Sequence, residues 1–533
     1  MKILSVIPAR SGSKGIPNKN IRLINGHPLV YYAIKNALNS QYITDVIVST
    51  DSDIIRVIAN QMGCKVKMRE ESLCKDNVTL DAVVYDASKD YDCDYVITMQ
   101  PTSPTLNVKT LDNAIKYTIK NEFDTVISVI NSPHLSWKKE NNVIVKNYEK
   151  RLNRQYLPAN YVETGAFIIS KKNVVTEVTR IGNKVSVFEI NETEAIDIDG
   201  FNDLYVVNNI FKSKKIAIYV NGNNNRGTGH IYRALEIADE FYVKPDIYYD
   251  INQTDVKIFG NTTHNLKPVN GIAELFEVLK KEKYDIFIND ILTTSIDYMI
   301  GLKSVMPPDS KIINFEDDGE GAAKADIVFN ALYTDNKSPN VYSGEKYYIA
   351  AKLFLMYEPI DIKDEVKTVF ISFGGADPQN YTDRILKLII KEKYRKVNFV
   401  IALGRAKYNI EQLLEYNKYK NIKVLYDVNN MPELMSTCDV AMTSRGRTAY
   451  ELAMLGIPSI ILSQNKREEE HGFISNENGY MYLGINPSDY VIESTLDMYI
   501  TMPKNDRDNL HNILLKHDLK NGRKRVISII ENL

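Results

Sequence analysis

Short apolar runs alternate with amphipathic segments along most of this 533-residue chain. The runs have the length of buried β-strands, and segments such as 29–38 and 448–455 carry apolar residues at helical spacing. The runs that we assign to strands are 3–7, 45–49, 95–99, 125–129, 215–220, 285–289, 369–373, 398–403 and 459–462. Strands that alternate with helices predict an α/β fold built on parallel, doubly wound sheets.

Chain length and two changes in the pattern predict three domains. A chain of 533 residues is too long for one core. A helix-like segment ends in a basic junction at 211–215, where a new strand begins, and a charged stretch at 359–367 precedes another strand. We therefore expect one domain at 1–212 and a two-lobed module whose lobes are 213–362 and 363–533.

Composition narrows the class of protein. The apolar fraction of 44% and the charged fraction of 25% are typical of globular proteins. The net charge of -2 gives no electrostatic reason to expect nucleic acid or a membrane as partner. Because no run has transmembrane length and no signal-peptide pattern precedes the first strand, we expect a cytoplasmic protein. The four cysteines are far apart and form no C-x-x-C pair, which indicates reduced thiols.

A glycine-rich, basic turn follows the first strand, where the chain reads PARSGSKGIPNKN. Gly12 and Gly15 allow backbone amides to approach an anion closely. Arg10, Lys14 and Lys19 add positive charge on the same turn. The spacing is neither that of a P-loop nor that of a dinucleotide fingerprint, and a basic surface turn is the alternative. Its position after the first strand of an α/β pattern favours a polyphosphate site.

Other polar groups of the first domain suit nucleotide chemistry. Arg69 follows a strand end and could contact a base or ribose, and the turn 100–104 lies at a strand's carboxyl end, where ligands bind in open α/β sheets. Arg154 could pair with a substrate carboxylate. Asp197 and Asp199 would share one face of an extended segment and could hold Mg²⁺ against a triphosphate. A pair of solvated loop acids is the alternative for these two aspartates.

These segments together resemble the CMP-sialic acid synthetase family. Its members transfer a cytidylyl group from CTP to the anomeric hydroxyl of a nine-carbon 2-keto sugar acid and release pyrophosphate. The resemblance implies CTP-binding or catalytic roles for Arg10, Ser13, Lys14, Lys19, Asn20 and Arg69. It implies contacts with the sugar acid for Gln100, Ser103 and Arg154. It further implies Mg²⁺ at Asp197 and Asp199, a catalytic role for Asp199, and a homodimer formed through the first domain.

The chain departs from this family at the expected sugar pocket. Family members usually have Asn-Gly-Ala-Ile-Tyr where this chain reads TGAFI, so Ile168 replaces a tyrosine that touches the sugar. Ile181 and Gly182 stand where the family has an aromatic pair. These changes favour a deoxygenated relative of N-acetylneuraminic acid, such as pseudaminic or legionaminic acid.

A second glycine-rich loop follows the strand at 215–220, where the chain reads NGNNNRGTGHIYR. Its glycines would let the backbone approach a substrate, and the helix that follows would present its N-terminus. His230 lies where this loop becomes a helix, and a neutral imidazole there could activate water near neutral pH. A helix-capping or packing histidine is the alternative. Two later segments, FGGADP at 373–378 and SRGRTAYE at 444–451, also join a strand to a turn or helix.

Residues 215–475 resemble the UDP-sugar hydrolase of pseudaminic acid biosynthesis, which has the two-lobed glycosyltransferase-B fold. The resemblance implies that His230 is the catalytic base. It implies nucleotide-sugar contacts for Gly229, Arg233, Gly446, Thr448 and Glu451. The family has small residues where this chain has Arg445 and Arg447, and these arginines could strengthen anion binding or mark a different donor.

The sequence therefore predicts a bifunctional enzyme of nonulosonic acid biosynthesis. The first domain would make the CMP-sugar, and the two lobes would remove the nucleotide from an earlier UDP-diacetamido-trideoxyhexose. Two alternatives remain open for the second half, a glycosyltransferase and an inactive nucleotide-sugar-binding module.

Overall fold

The computed structural model describes residues 1–12, 15–75, 77–222, 229–333, 338–428 and 430–533. The chain forms two compact units, Met1–Ser213 and Lys214–Leu533. None of the helices in the described ranges is long and apolar enough to cross a membrane.

Seven of the eleven strands that are described in the first unit form one sheet, and the other four form two separate pairs. Its strands are β1 (Ile3–Pro8), β2 (Leu23–Ile24), β3 (His27–Pro28), β4 (Asp45–Thr50), β5 (Lys65–Met68), β6 (Tyr95–Met99), β7 (Thr125–Asn131), β8 (Trp137–Glu140), β9 (Val143–Lys146), β10 (Tyr161–Lys171) and β11 (Val185–Glu189). Its helices are α1 (Leu29–Asn39), α2 (Asp53–Gln61), α3 (Leu80–Ser88), α4 (Val108–Lys120) and α5 (Phe201–Lys212). The sheet order is β11-β7-β10-β6-β1-β4-β5, and the separate pairs are β2-β3 and β8-β9.

Strand direction decides where polar groups collect in this sheet. β1 pairs in parallel with both β4 and β6, whereas β10 runs antiparallel to β6 and β7. The carboxyl ends of β1, β4 and β6 therefore lie at one edge of the sheet, together with the amino-terminal half of β10. The loops after β1 and β6 carry most of the predicted CTP and sugar-acid residues of the first unit, whereas Arg69 follows β5 and Arg154 lies between β9 and β10.

The second unit contains two parallel sheets. Its strands are β12 (Ile216–Val220), β13 (Asp246–Asp250), β14 (Asn265–Val269), β15 (Ile286–Asp290), β16 (Lys311–Phe315), β17 (Ile327–Asn330), β18 (Val341–Ser343), β19 (Thr368–Ser372), β20 (Asn398–Leu403), β21 (Ile422–Tyr426), β22 (Val440–Ser444), β23 (Ser459–Ser463) and β24 (Tyr480–Ile485). Its helices are α6 (Gly229–Ala238), α7 (Gly271–Glu282), α8 (Ile296–Val305), α9 (Tyr381–Ile389), α10 (Ile410–Leu414), α11 (Met431–Ser436), α12 (Arg447–Met454), α13 (Asp489–Thr501), α14 (Lys504–Leu514) and α15 (Gly522–Glu531).

Each sheet of the second unit forms the centre of one lobe. The first lobe has the order β14-β13-β12-β15-β16-β17-β18 and the second has β21-β20-β19-β22-β23-β24. The predicted α/β fold class is confirmed, with one mixed sheet in the first unit and one parallel sheet in each lobe of the second. The structure differs in one respect from the predicted second lobe at 363–533. Helix α15 packs its Val526 and Ile530 into the core of the first lobe, beside Ile216 and Ile231, so the chain returns to that lobe at its end.

Candidate active sites

The turn after β1 is fixed against the neighbouring strand end. The backbone nitrogen and Oγ of Ser11 donate hydrogen bonds to the two carboxylate oxygens of Asp51, each at 2.7 Å. Asn20 Nδ2 donates to the carbonyl of Arg10 at 2.8 Å, which closes the turn on itself. Burial would raise the pKa of Asp51, but the bonds from Ser11 lower it below its ordinary value. Two predicted CTP ligands lie outside the described residues: Ser13 and Lys14.

Arg69 adds a half-buried cation at the same edge. Its Nε donates to Ser49 Oγ at 3.0 Å and its Nη2 to the Ser49 carbonyl at 2.9 Å. Burial lowers the pKa of Arg69, Asp51 opposes this, and the nearby positive charge of Arg10 adds to the lowering. Two guanidinium groups thus lie close together beside one carboxylate, an arrangement that an anionic ligand would stabilise.

Lys19 joins this turn to the segment that carries the two aspartates. Its Nζ donates to the carbonyl of Ile198 at 2.7 Å and lies 3.5 Å from Asp199 Oδ1. A Cβ on Gly15 would lie 2.4 Å from the carbonyl oxygen of Asp199, so only glycine allows this close approach. The predicted phosphate turn and the predicted metal ligands are therefore in direct contact.

Gln100 and Asp197 converge on Gly165 of β10. Gly165 has φ +72°, and a Cβ there would lie 3.0 Å from Gln100 Nε2 and 3.2 Å from Asp197 Oδ2. Asp197 Oδ1 is buried and has no hydrogen-bond partner among the described residues. Burial raises the pKa of Asp197, the nearby Thr102 hydroxyl opposes the rise, and the neighbouring Asp199 adds to it. A cation or a proton is the natural partner for such an oxygen.

The other predicted sugar-acid residues lie in different surroundings. Ser103 is 4% exposed, and its Oγ has no hydrogen-bond partner in the described part of the chain. Arg154 lies in a surface turn, where its Nη2 is 3.5 Å from Glu192 Oε1. Its partner is therefore an exposed carboxylate, not a member of the cluster around Gly165. Ile168, the residue in place of the family's tyrosine, packs with Ile127 and Val129 in a small apolar cluster.

A cavity of about 560 Å³ lies in the second unit, and residues of both lobes line it. From the first lobe come Gly229, His230, Arg233, Glu316 and Tyr333. From the second lobe come Gly374, Gly446, Arg447, Thr448, Glu451, Gln464, Arg467 and Glu468. All the residues that the sequence predicts for a nucleotide-sugar site are thus brought to one cavity.

His230 belongs to a buried ionic network on one wall of this cavity. Its Nδ1 lies 2.5 Å from Asp290 Oδ1, at the carboxyl end of β15. Arg233, one turn further along α6, donates from Nε to Asp290 Oδ2 at 2.7 Å and from Nη2 to Asp290 Oδ1 at 2.5 Å. Its Nη1 donates to Glu316 Oε1 at 3.2 Å. The guanidinium of Arg233 is therefore bound by two carboxylates inside the wall.

The charges of this wall act on the imidazole in opposite directions. Burial lowers the pKa of His230, the carboxylate of Asp290 raises it, and the positive charges of Arg233 and Arg467 lower it further. Burial would raise the pKa of Asp290, but the charges of Arg233 and His230 lower it. Asp290 is therefore ionised and His230 is neutral near pH 7, as a general base requires.

The opposite wall has the features of an anion site. Helix α12 begins at Arg447, with Gly446 at its N-cap, so the first backbone amides of α12 lie at the cavity. Glu451 lies one turn further along, and burial raises its pKa while Arg447 opposes the rise. Glu468 also faces this region, and burial raises its pKa to about 7.

The two arginines that depart from the family have different surroundings. Arg445 is 8% exposed and donates to the carbonyls of Glu469 at 2.8 Å and His471 at 2.7 Å, with its guanidinium 4.2 Å from the Tyr482 ring. It therefore holds the turn after β23 and does not line the cavity wall. Arg447 does line the cavity, and its Nη2 donates to the carbonyl of Ile349 at 2.8 Å.

Sequence reasoning missed two members of the first wall. Asp290 directly follows an apolar run, which is the signal that could have identified it. Glu316 directly follows β16, a strand that the apolar pattern did not predict. It has φ +51°, and its carboxylate accepts from the backbone nitrogens of Ala331 and Leu332, both at 3.2 Å. Left-handed backbone at a non-glycine residue is frequent at functional sites.

Comparison with known proteins shows which family the first part of the chain resembles. Residues 4–254 match the cytidylyltransferase family. The match includes every predicted CTP, sugar-acid and metal residue of the first unit. Over these residues the chain is thus similar to cytidylyltransferases.

Two curated relatives extend the likeness. One is N-acylneuraminate cytidylyltransferase A of Danio rerio, which is 31% identical over 205 residues, 37% of this chain. The chain spans 48% of that relative's length. The other is a Helicobacter pylori protein named pseudaminic acid cytidylyltransferase and UDP-2,4-diacetamido-2,4,6-trideoxy-beta-L-altropyranose hydrolase. It is 25% identical over 488 residues, 87% of this chain and 88% of its own length.

The second unit also has structural neighbours. MurG of Acinetobacter baumannii aligns with 60% of this chain and 100% of its own, at 11% identity and a TM-score of 0.45.

Proposed function

We propose that the chain is bifunctional: its first unit transfers CMP from CTP to a nonulosonic acid, and its second unit hydrolyses a nucleotide-sugar. The cytidylyltransferase match and the Danio rerio relative support the first activity. The Helicobacter pylori relative, whose name carries both activities, aligns with this chain over 488 residues. The observation that carries the first proposal is the convergence of Lys19, Gln100 and Asp197 beside the basic turn.

In cytidylyl transfer, the anomeric hydroxyl oxygen of the sugar acid attacks the α-phosphorus of CTP. The new P–O bond forms as the bond to the β-phosphate oxygen breaks, pyrophosphate leaves, and the hydroxyl proton is lost. Such a step depends on charge neutralisation and positioning. Arg10, Arg69 and Lys19 provide positive charge for the phosphates, and Gln100 is placed to orient the sugar acid beside Gly165.

Asp197 and Asp199 fit a Mg²⁺ site. The donors are hard carboxylate oxygens, and Asp197 Oδ1 is buried without a hydrogen-bond partner among the described residues. No group of three or more His, Cys, Asp or Glu side chains in the described ranges could hold a metal ion alone. Protein sites for Mg²⁺ often use one or two carboxylates and take their remaining ligands from water and substrate phosphates. When bound, Mg²⁺ supplies charge neutralisation for the triphosphate.

We infer that the sugar acid belongs to the pseudaminic or legionaminic class. Support comes from the apolar surroundings of Ile168, which offer no hydroxyl to a polar substituent at that position. Deoxygenated sugar acids present a methyl group where N-acetylneuraminic acid presents hydroxyls. By the same family resemblance we infer a cytoplasmic enzyme that forms a homodimer through residues 1–212.

In the proposed hydrolysis, His230 is the general base. Its Nε2 takes a proton from water while the water oxygen attacks the anomeric carbon of the nucleotide-sugar. The bond from that carbon to the diphosphate oxygen breaks, and the nucleotide diphosphate leaves with the electron pair. The first amides of α12 are placed to bind the diphosphate, and Glu451 lies one turn further along, where a ribose would lie. The observation that carries this proposal is the pair of His230 and Asp290 at the cavity.

Two assays on the full chain test the two activities separately. The first follows pyrophosphate release from CTP with purified N-acetylneuraminic, legionaminic and pseudaminic acids. We expect release with one of the two deoxygenated acids and little with N-acetylneuraminic acid.

The second assay follows UDP release from a UDP-diacetamido-trideoxyhexose in water, without a sugar acceptor. Release that is lost in His230→Asn supports hydrolysis. Release only after an acceptor is added would indicate a glycosyltransferase, and tight binding without release would indicate a binding module.

A further inference from the structure

The geometry around His230 contains more than a base and its carboxylate. Asp290 accepts hydrogen bonds from His230 Nδ1 and from both Nε and Nη2 of Arg233. Glu316 accepts from Nη1 of the same guanidinium and from two backbone nitrogens. His230, Arg233, Asp290 and Glu316 therefore form one hydrogen-bonded chain.

The contacts determine which nitrogen of His230 carries the proton. Nδ1 lies 2.5 Å from Asp290 Oδ1 and 3.0 Å from Arg233 Nη2. An unprotonated Nδ1 would place two lone pairs against each other at 2.5 Å, which is repulsive. Nδ1 is therefore the donor to Asp290, and Arg233 Nη2 donates to the same carboxylate oxygen. Nε2 is left with its lone pair.

The charges of the network also balance. Arg233 carries one positive charge between two carboxylates, those of Asp290 and Glu316. With Arg233 and Asp290 alone, the wall would be neutral and an imidazolium would add an unpaired buried charge. Burial raises the pKa of Glu316, while the charge of Arg233 and the hydrogen bond from the Leu332 backbone nitrogen oppose the rise. In its ionised form Glu316 makes the network of Arg233, Asp290 and Glu316 negative by one charge, so proton uptake by His230 brings that network to neutrality. Among the described residues, Arg467, from the turn after β23, also acts on His230 and lowers its pKa.

We propose that Asp290 and Glu316 are positioning residues for His230: Asp290 fixes the tautomer with Nε2 as the base, and Glu316 offsets Arg233 so that the imidazolium can form. This inference rests on the proposed hydrolysis. It deepens that function because it assigns the proton affinity of the base in part to Glu316, which follows β16 and acts on His230 through Arg233.

The first test is spectroscopic and needs no substrate. Histidine ¹⁵N–¹H correlation spectra of the full chain report the tautomer of each histidine, and the His230 signal is assigned by its loss in His230→Asn. At pH 7 we expect the Nδ1–H tautomer for His230. An Nε2–H tautomer would overturn the proposal, whether or not the chain hydrolyses a nucleotide-sugar.

The second test is the pH dependence of kcat/KM for UDP release. The base must be unprotonated, so activity rises with pH through the pKa of His230. Glu316→Gln removes a negative charge, destabilises the imidazolium and should move this acid limb to lower pH by about one unit. Asp290→Asn should lower kcat/KM by about 10²-fold, because the tautomer is no longer fixed.

Asp239→Asn is the matched control. His264 Nε2 lies 2.7 Å from Asp239 Oδ1, so this change removes a carboxylate from a histidine of the same unit that does not line the cavity. We expect its pH profile to match that of the wild type. If Glu316→Gln lowers the rate equally at every pH, its role is structural and the inference is wrong. Absence of UDP release in the wild type would instead contradict the proposed function, and the spectra would still decide the tautomer.

Discussion

A methyl group at position 165 tests whether the cluster around Gly165 is the sugar-acid site. In Gly165→Ala the backbone must keep φ +72°, which costs a non-glycine residue about 1–2 kcal/mol. The new Cβ would lie 3.0 Å from Gln100 Nε2 and 3.2 Å from Asp197 Oδ2, so both groups must move by a few tenths of an ångström. Displacement of positioning groups on this scale lowers a rate by about 10- to 100-fold.

Gly63→Ala is the matched control for this prediction. Gly63 has φ +81°, and a Cβ there would meet no atom within 4 Å, so this variant carries the backbone strain without the contacts. Thermal unfolding of each variant measures the strain, and CTP-dependent pyrophosphate release measures activity. We expect similar losses of stability and a loss of kcat/KM for the sugar acid in Gly165→Ala only. Equal activity of the two variants would refute the placement of the sugar acid beside Gly165.

Three further predictions address the other groups. Asp199→Asn should raise the Mg²⁺ concentration for half-maximal pyrophosphate release by about tenfold, since one of two carboxylates is lost; an unchanged requirement would contradict the metal site. The neutral form of Glu468 prevails below its pKa of about 7, and its ionised form repels a diphosphate. From pH 6 to pH 8 the Kd for UDP, measured by calorimetry, should therefore rise in the wild type by a factor about ten times larger than in Glu468→Gln. Arg445→Ala should cost about 1–3 kcal/mol in unfolding free energy, because the buried carbonyl of His471 and the partly buried carbonyl of Glu469 lose their donor, whereas Arg395→Ala, at an exposed residue, should cost little.

The strands could be predicted from the sequence where both faces of a sheet are covered. The runs at 215–220 and 369–373 correspond closely to β12 (Ile216–Val220) and β19 (Thr368–Ser372), because strands buried on both faces read as continuous apolar runs. The direction of β10 could not be read, since an apolar run has the same pattern in either direction. The sequence also could not predict that α15 returns to the first lobe, because an amphipathic pattern does not identify the sheet on which a helix packs.

The candidate sites could be predicted where glycine-rich loops follow strands. Lys19, Gln100 and His230 can be predicted as candidates from the sequence, because strand ends and the loops after them position polar groups at one sheet edge. Glu316 could not be found, since a single acid at a strand end has the same local sequence as a solvated turn residue. The orientation of Arg445 depends on carbonyls more than twenty residues further along the chain, which no local pattern contains.

Pyrophosphate release by the full chain with CTP, Mg²⁺ and purified pseudaminic or legionaminic acid tests the proposed cytidylyl transfer most directly. We expect release that requires both CTP and one of these sugar acids, and that falls strongly when Lys19 is replaced by Ala. Release with ATP or GTP but not with CTP, or release that is independent of the sugar acid, would contradict that proposal.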